Sequence, residues 1–136
     1  TIELEIHDKR KRIDIVFDNC AECGFFFRLC NTHDIPSRFI IVECKNYSRD
    51  VANPELDQIG GRFSPNRGKM GIITCRTIDD MDTFLLRCSD TYRDSRGLII
   101  PLVDEDFYTL LHYRAEDNEV AIDDYIQKRF HDIALK

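Results

Sequence analysis

Glu43 and Lys45, on either side of Cys44 at the end of the run "IIVECKNY" (residues 40–47), are the residues best suited to chemistry. Strand side chains alternate between faces, so Glu43 and Lys45 point the same way and Cys44 the other. Burying either charge is costly unless it is paired or held by a metal. A second acid precedes them in "RIDIVFD" (residues 12–18), which alternates Ile13, Ile15 and Phe17 on one face with Asp14 and Val16 on the other. If these strands are neighbours, the carboxylates of Asp14 and Glu43 converge at a sheet edge with Lys45 one pleat along. Mg2+ takes one or two carboxylates, keeps several waters and completes its shell with substrate phosphate oxygens. The main-chain carbonyl of Cys44 would add a third protein oxygen. Lys45 could then hold, or help deprotonate, a water whose acidity the metal has raised. Such chemistry is phosphodiester hydrolysis. The competing reading is a set of strand-end ion pairs, Glu43 with Lys45 or Arg38 and Asp14 with Arg12 or Arg76. Asp18 shares the strand face of Asp14 and ranks second as a ligand because it falls at a loop.

Several elements must position these residues. Residues 1–7 alternate as a half-exposed strand, 8–11 form a charged turn, and 12–18 return as the second arm of a hairpin. Residues 19–37 read as a loop with a short aromatic segment, Phe25 to Leu29, stopped by Pro36. A strand follows over 38–45. "VANPELDQIGGRF" then predicts a helix with Asn53 as N-cap, Pro54 at the first position and acids in the first turn, limited by Gly60 and Gly61. Tyr47, Ser48 and Arg49 are expected to form the turn before it. "MGIITCR" (70–76) reads as a strand parallel to 38–45 through the helical crossover. Met81, Phe84, Leu85, Cys88 and Tyr92 fall at helical spacing. A strand over 97–103 precedes a short helix capped by Asp104 and carrying Phe107, Leu110 and Leu111. Val120, Ile122, Tyr125, Ile126, Phe130 and Ile133 stripe a final helix. The order β-β-β-α-β-α-β-α-α predicts an α/β (α+β) domain, a mixed central sheet flanked by helices.

The ordered set "RIDIVFDN", "FIIVECKNYSRDVANPELDQIGGRF" and "MGIITCR" resembles the PD-(D/E)xK, or restriction-endonuclease-like, nuclease superfamily, and within it the Mrr-like branch. The resemblance covers residues 12–76. It implies a restriction-endonuclease-like fold and a divalent-metal-dependent endonuclease cutting DNA with Mg2+ or Mn2+. By matching, Asp14 takes the place of the first acid, Glu43 the second and Lys45 the motif lysine, while Gln58 matches a glutamine that steadies the site or its water. Ile13 stands where the motif's proline would be. An additional acid on an earlier helix, found in some relatives, is not evident after Thr1. The implied setting is the effector domain of a larger bacterial restriction or antiviral defence protein. A catalytically silent nucleic-acid-binding or assembly domain of the same fold is the first alternative.

The second alternative is a zinc-stabilised interaction domain. Cys20-x2-Cys23 followed by Cys30-x2-His33 has the ligand types and pair spacing of a structural zinc site, against a reading of two loop thiols, one strand thiol and an unrelated histidine. The remaining cysteines fit reduced, buried thiols better than disulfides. His7, His112 and His131 have no matched partners. Length suits one domain over residues 1–136 with a sizeable core. Thr1 rather than Met at the start suggests excision from a longer chain, so flanking domains are expected partners. No apolar run suits a membrane span and no secretory leader opens the sequence, so a cytoplasmic domain is expected. The net charge of −6 would argue against nucleic acid, but it is unevenly spread. Residues 1–76 hold 12 Lys/Arg and 11 Asp/Glu, whereas residues 77–136 hold 7 and 14. Basic residues flank the Glu43–Lys45 segment, and Arg12, Arg62, Arg67 and Lys69 are candidate phosphate contacts or else solubilising charges. Double-strand cutting usually needs two active sites, so a homodimer is plausible.

Overall fold

The computed structural model describes the main chain of residues 2–6, 11–45 and 53–136, and the side chains of 14–45 and 56–136. Its elements are β1 (Ile2–Ile6), β2 (Lys11–Asp18), α1 (Gly24–Asn31), β3 (Phe39–Cys44), α2 (Asn53–Gly60), β4 (Met70–Thr74), α3 (Met81–Arg93), β5 (Leu98–Leu102), α4 (Asp104–Ala115) and α5 (Glu119–Ala134). The strands form one mixed sheet in the order β1-β2-β3-β4-β5. The first two pairings are antiparallel, and β3, β4 and β5 run parallel. The predicted hairpin and the parallel crossover through α2 are both present; the turn at 7–10 and residues 46–52, with Tyr47, Ser48 and Arg49, lie outside the described residues.

Helix α1 is a correction to the expected loop. Phe25 and Leu29, one helical turn apart, are buried, while Phe27 between them is exposed. Three consecutive phenylalanines disguise that i, i+4 spacing, and aromatic residues are weak helix formers. Packing against α5, not local preference, stabilises this segment. Helix α4 departs from its predicted stripe as well. Val103 rather than Asp104 is its N-cap, and the Asp106 carboxylate reaches back to accept from the Val103 N–H at 2.8 Å. Phe107 and Leu111 face solvent, and Asp106 is the buried residue of the helix.

The core lies where α3 and α5 meet β5 and each other, joined by α1 through Phe25, Leu29 and Phe130. Every residue of β5 is buried, and β5 ends the strand order, so Pro101 removes no ladder hydrogen bond on its far side. Its carbonyl accepts from Arg129 of α5 at 2.9 Å.

One sheet face positions the candidate site. The β2–β3 register pairs Ile15 with Val42 and Val16 with Ile41, so continuing it sets Asp14 opposite Glu43. Gly71, paired with Ile41, lies on that same face. A Cβ there would stand 3.0 Å from Ile59 and 2.9 Å from Phe63. The missing side chain therefore lets α2 and the turn after it settle close to the sheet, which brings Gln58 and Arg62 over the end of β3.

Candidate active site

Asp14 and Glu43 meet across two antiparallel strands, so their side chains leave the sheet on one face. Asp14 Oδ2 accepts a hydrogen bond from the Cys44 main-chain N–H at 2.9 Å. In a strand the N–H and C=O of one residue leave on the same lateral side, so the Cys44 carbonyl also faces the β2 side of β3. Lys45 follows the last strand residue, its N–H bonded to the Thr74 carbonyl at 2.8 Å. Its Nζ donates to Gln58 Oε1 of α2 at 2.8 Å. Asp14, Glu43, Lys45 and Gln58, four side chains spread over 45 positions of the chain, are thus brought together at the carboxyl end of β3.

Glu43 is 2 % exposed. Its ion partner is neither Lys45 nor Arg38 but Arg62, whose Nε lies 3.0 Å from Glu43 Oε1. The geometry of this contact makes it a charge pair rather than a hydrogen bond, and Oε1 has no hydrogen-bond partner among the described residues. Burial pushes the Glu43 carboxyl up to about 7; Arg62 opposes this, and Asp14 raises it further by charge and by a hydrogen bond between the two side chains. Near neutral pH the Glu43 carboxyl therefore readily takes up a proton. A hard divalent cation would replace that proton and neutralise both carboxylates, and the donor set suits Mg2+ or Mn2+: two carboxylate oxygens and the Cys44 carbonyl, with water and substrate oxygens left to complete the shell. Among the described residues no three His, Cys, Asp or Glu side chains converge as a metal cluster.

Arg62 is the main correction to the expected nucleic-acid contacts. It is 7 % exposed, and besides Glu43 its Nη1 donates to the Gln58 carbonyl at 2.6 Å. The signal in the sequence was slight: an arginine four residues after Gln58, just past Gly60 and Gly61. Arg67 and Lys69 are not brought to the site either. Phe39 N–H bonds the Arg67 carbonyl and Leu98 N–H bonds the Lys69 carbonyl, which sets both at the start of the parallel strands, the end away from Glu43. Their side chains turn to protein carbonyls, Arg67 Nε to Arg62 at 3.0 Å and Lys69 Nζ to Ser95 at 3.4 Å. The Arg12 side chain lies outside the described residues. Asp18 pairs with Phe39 at the far end of β2, about 13 Å along the strand from Asp14. Arg76 pairs with Asp104 at 3.4 Å, not with Asp14.

The predicted zinc quartet does not form. Cys20, Cys23 and Cys30 are exposed free thiols. Cys23 caps α1 and Cys30 sits two turns along it, roughly 10 Å away. His33 turns inward, its ring centroid 4.6 Å from that of Phe130 and its Nε2 buried without a partner. Only Cys75 and Cys88 are the buried thiols expected, since Cys44 too is exposed.

His33 instead carries a pH effect. Burial, then the charges of Arg28 and His131, lowers its pKa below 6.5. The unfolded chain takes up the proton first, so the stabilisation is complete above the unfolded value and is lost as pH falls through the folded one. Urea midpoints measured between pH 7.5 and 5.5 should fall less for His33→Phe than for the parent. An identical fall in both would refute this role.

The chain matches no protein-family model, no curated protein and no solved structure.

Proposed function

We propose that this domain is a divalent-metal-dependent endonuclease of the restriction-endonuclease-like type, hydrolysing phosphodiester bonds of DNA. The observation that carries the reading is the convergence of Asp14 and Glu43 on one sheet face, with Lys45 held by Gln58 beside them. Ion pairing alone would explain Glu43 with Arg62, but not a second acid opposite Glu43 or a lysine tied to a glutamine on the covering helix.

Asp14 and Glu43, with the Cys44 carbonyl, are the residues that would hold Mg2+ or Mn2+. The cation supplies Lewis-acid polarisation of the phosphoryl group and a more acidic water. Asp14 is oriented by the Cys44 N–H, so its carboxylate is directed without side-chain search. Gln58 takes one of the three donors of Lys45, leaving the ammonium able to hold the attacking water or to donate to the phosphate oxygen that gains charge. Burial around Glu43 excludes bulk water and strengthens these interactions. No described helix is long and apolar enough to cross a membrane.

The test is incubation of plasmid DNA with the purified domain and Mg2+ or Mn2+. Nicked and linear products are expected with either ion and none with EDTA in excess. Cutting that survives EDTA would refute the reading. DNA binding without cutting under any divalent ion would instead favour a silent member of the fold.

A further inference from the structure

We propose that Arg62 is a positioning residue of this site, a strut that holds the acid on β3 and the glutamine–lysine pair in one geometry; the inference rests on the nuclease reading above. Its guanidinium reaches in two directions, Nε toward Glu43 Oε1 at 3.0 Å and Nη1 to the Gln58 carbonyl at 2.6 Å. Gln58 in turn holds Lys45 Nζ at 2.8 Å. Glu43, Arg62, Gln58 and Lys45 are therefore linked without a break from the sheet, through the last turn of α2, and back to the end of β3. Arg67 braces the strut from behind, its Nε donating to the Arg62 carbonyl at 3.0 Å.

The chemistry of the group suits this role. A planar guanidinium can set its charge beside one group while donating to another at a fixed angle, whereas a lysine ammonium is a point charge on a flexible stem. A phosphate contact needs its guanidinium in solvent, and the Arg62 side chain is 9 % exposed. By setting its charge beside Oε1, Arg62 steadies the carboxylate that a cation would need. By holding the Gln58 carbonyl, it fixes where the Gln58 side chain starts and hence where Lys45 ends.

The role separates from phosphate binding by what each variant loses. Arg62→Lys keeps a cation beside Glu43 but cannot reach both acceptors. It should keep Mn2+ affinity, by calorimetry without DNA, within about twofold, while kcat for plasmid cleavage falls roughly 10- to 100-fold, as misplacement of a catalytic group does. Arg62→Ala, if it folds by circular dichroism, should lose Mn2+ affinity as well. DNA affinity measured in Ca2+, and its dependence on salt, should stay unchanged in both. A loss confined to DNA affinity, with a salt slope smaller by about one, would make Arg62 a phosphate contact and overturn the proposal. Unchanged kcat would overturn it too. A metal-free readout keeps its failure distinct from that of the nuclease reading: hydrogen exchange at the Gly61 and Arg62 amides, which bond to the carbonyls of Asp57 and Ile59, should quicken in Arg62→Lys. Quickened exchange alongside an inactive parent protein would sink only the nuclease reading, and unaltered exchange would sink the strut.

Discussion

Lys45→Ala and Glu43→Gln are each expected to lower metal-dependent cleavage by about 10²- to 10⁴-fold, the range lost when a group that moves or holds the reacting proton is removed. Lys45 Nζ donates to the Gln58 side-chain oxygen, and alanine leaves no donor in its place. Arginine should not rescue it, because a planar fork cannot occupy the ammonium position against Gln58 Oε1. Glu43→Gln removes one of the two carboxylates that a cation would need and keeps the side chain's shape. Glu43→Gln also leaves the buried Arg62 guanidinium without its counter-charge, so denaturant midpoints measured alongside separate a loss of fold from a loss of chemistry. Mn2+ affinity should fall in Glu43→Gln and hold in Lys45→Ala, which separates binding from chemistry. Gln58→Ala should cost less, about tenfold, as it only orients Lys45. The measurement is initial plasmid-cleavage rate on variants purified in parallel; cutting retained by both Lys45→Ala and Glu43→Gln would mean that other residues, or another enzyme, do the work.

The largest effect on stability is expected at Asp106. Asp106 is 3 % exposed, and its carboxylate accepts from Val103 N–H at 2.8 Å, Tyr125 Oη at 2.5 Å and Arg129 Nη2 at 2.8 Å, while Arg129 also bonds the Pro101 carbonyl. One acid thus fastens the start of α4 to α5, and Arg129 fastens α5 to β5. Burial, then the bond to Asp106, pushes the Tyr125 hydroxyl up to about 12, so it remains a donor across the working pH range. Asp106→Ala would strand a largely buried guanidinium and two donors, a loss of about 3–5 kcal/mol. Tyr125→Phe removes one neutral donor and should cost about 1 kcal/mol. Paired replacement of Asp106 and Arg129 by apolar residues should recover much of the deficit, because the stranded charge goes with its partner. Denaturant midpoints at constant slope check all three. An Asp106→Ala variant within 1 kcal/mol of the parent would show that α4 and α5 are held by apolar packing alone.

Much of the frame was legible because it rests on local signals. Alternation marked β1 and β2, the Asn-Pro-Glu start and double glycine bounded α2, and the run from Ile40 to Glu43 marked β3. The parallel crossover followed from a helix set between two apolar strands. Helix α1 was hidden because its two buried positions sit in an aromatic run with no polar contrast, and the buried face of α4 was misjudged because its anchor is Asp106, an acid whose partners lie about twenty residues away.

The same division runs through the candidate site. Composition and spacing by themselves determined that Asp14 sits on a strand face, that Glu43 and Lys45 share theirs, and that Gln58 falls on the helix that follows. Only the tertiary structure decided that β2 and β3 are neighbours in the register that sets Asp14 opposite Glu43, that Arg62 turns inward to Glu43 while Arg67 and Lys69 stay at the other end of the strands, and that no three of Cys20, Cys23, Cys30 and His33 converge as a metal cluster. The reason is physical: strand and helix periods are properties of a few consecutive residues, whereas an ion pair, a carboxylate pair or a metal cluster depends on distances that register, burial and close approach of α2 over Gly71 set between distant parts of the chain.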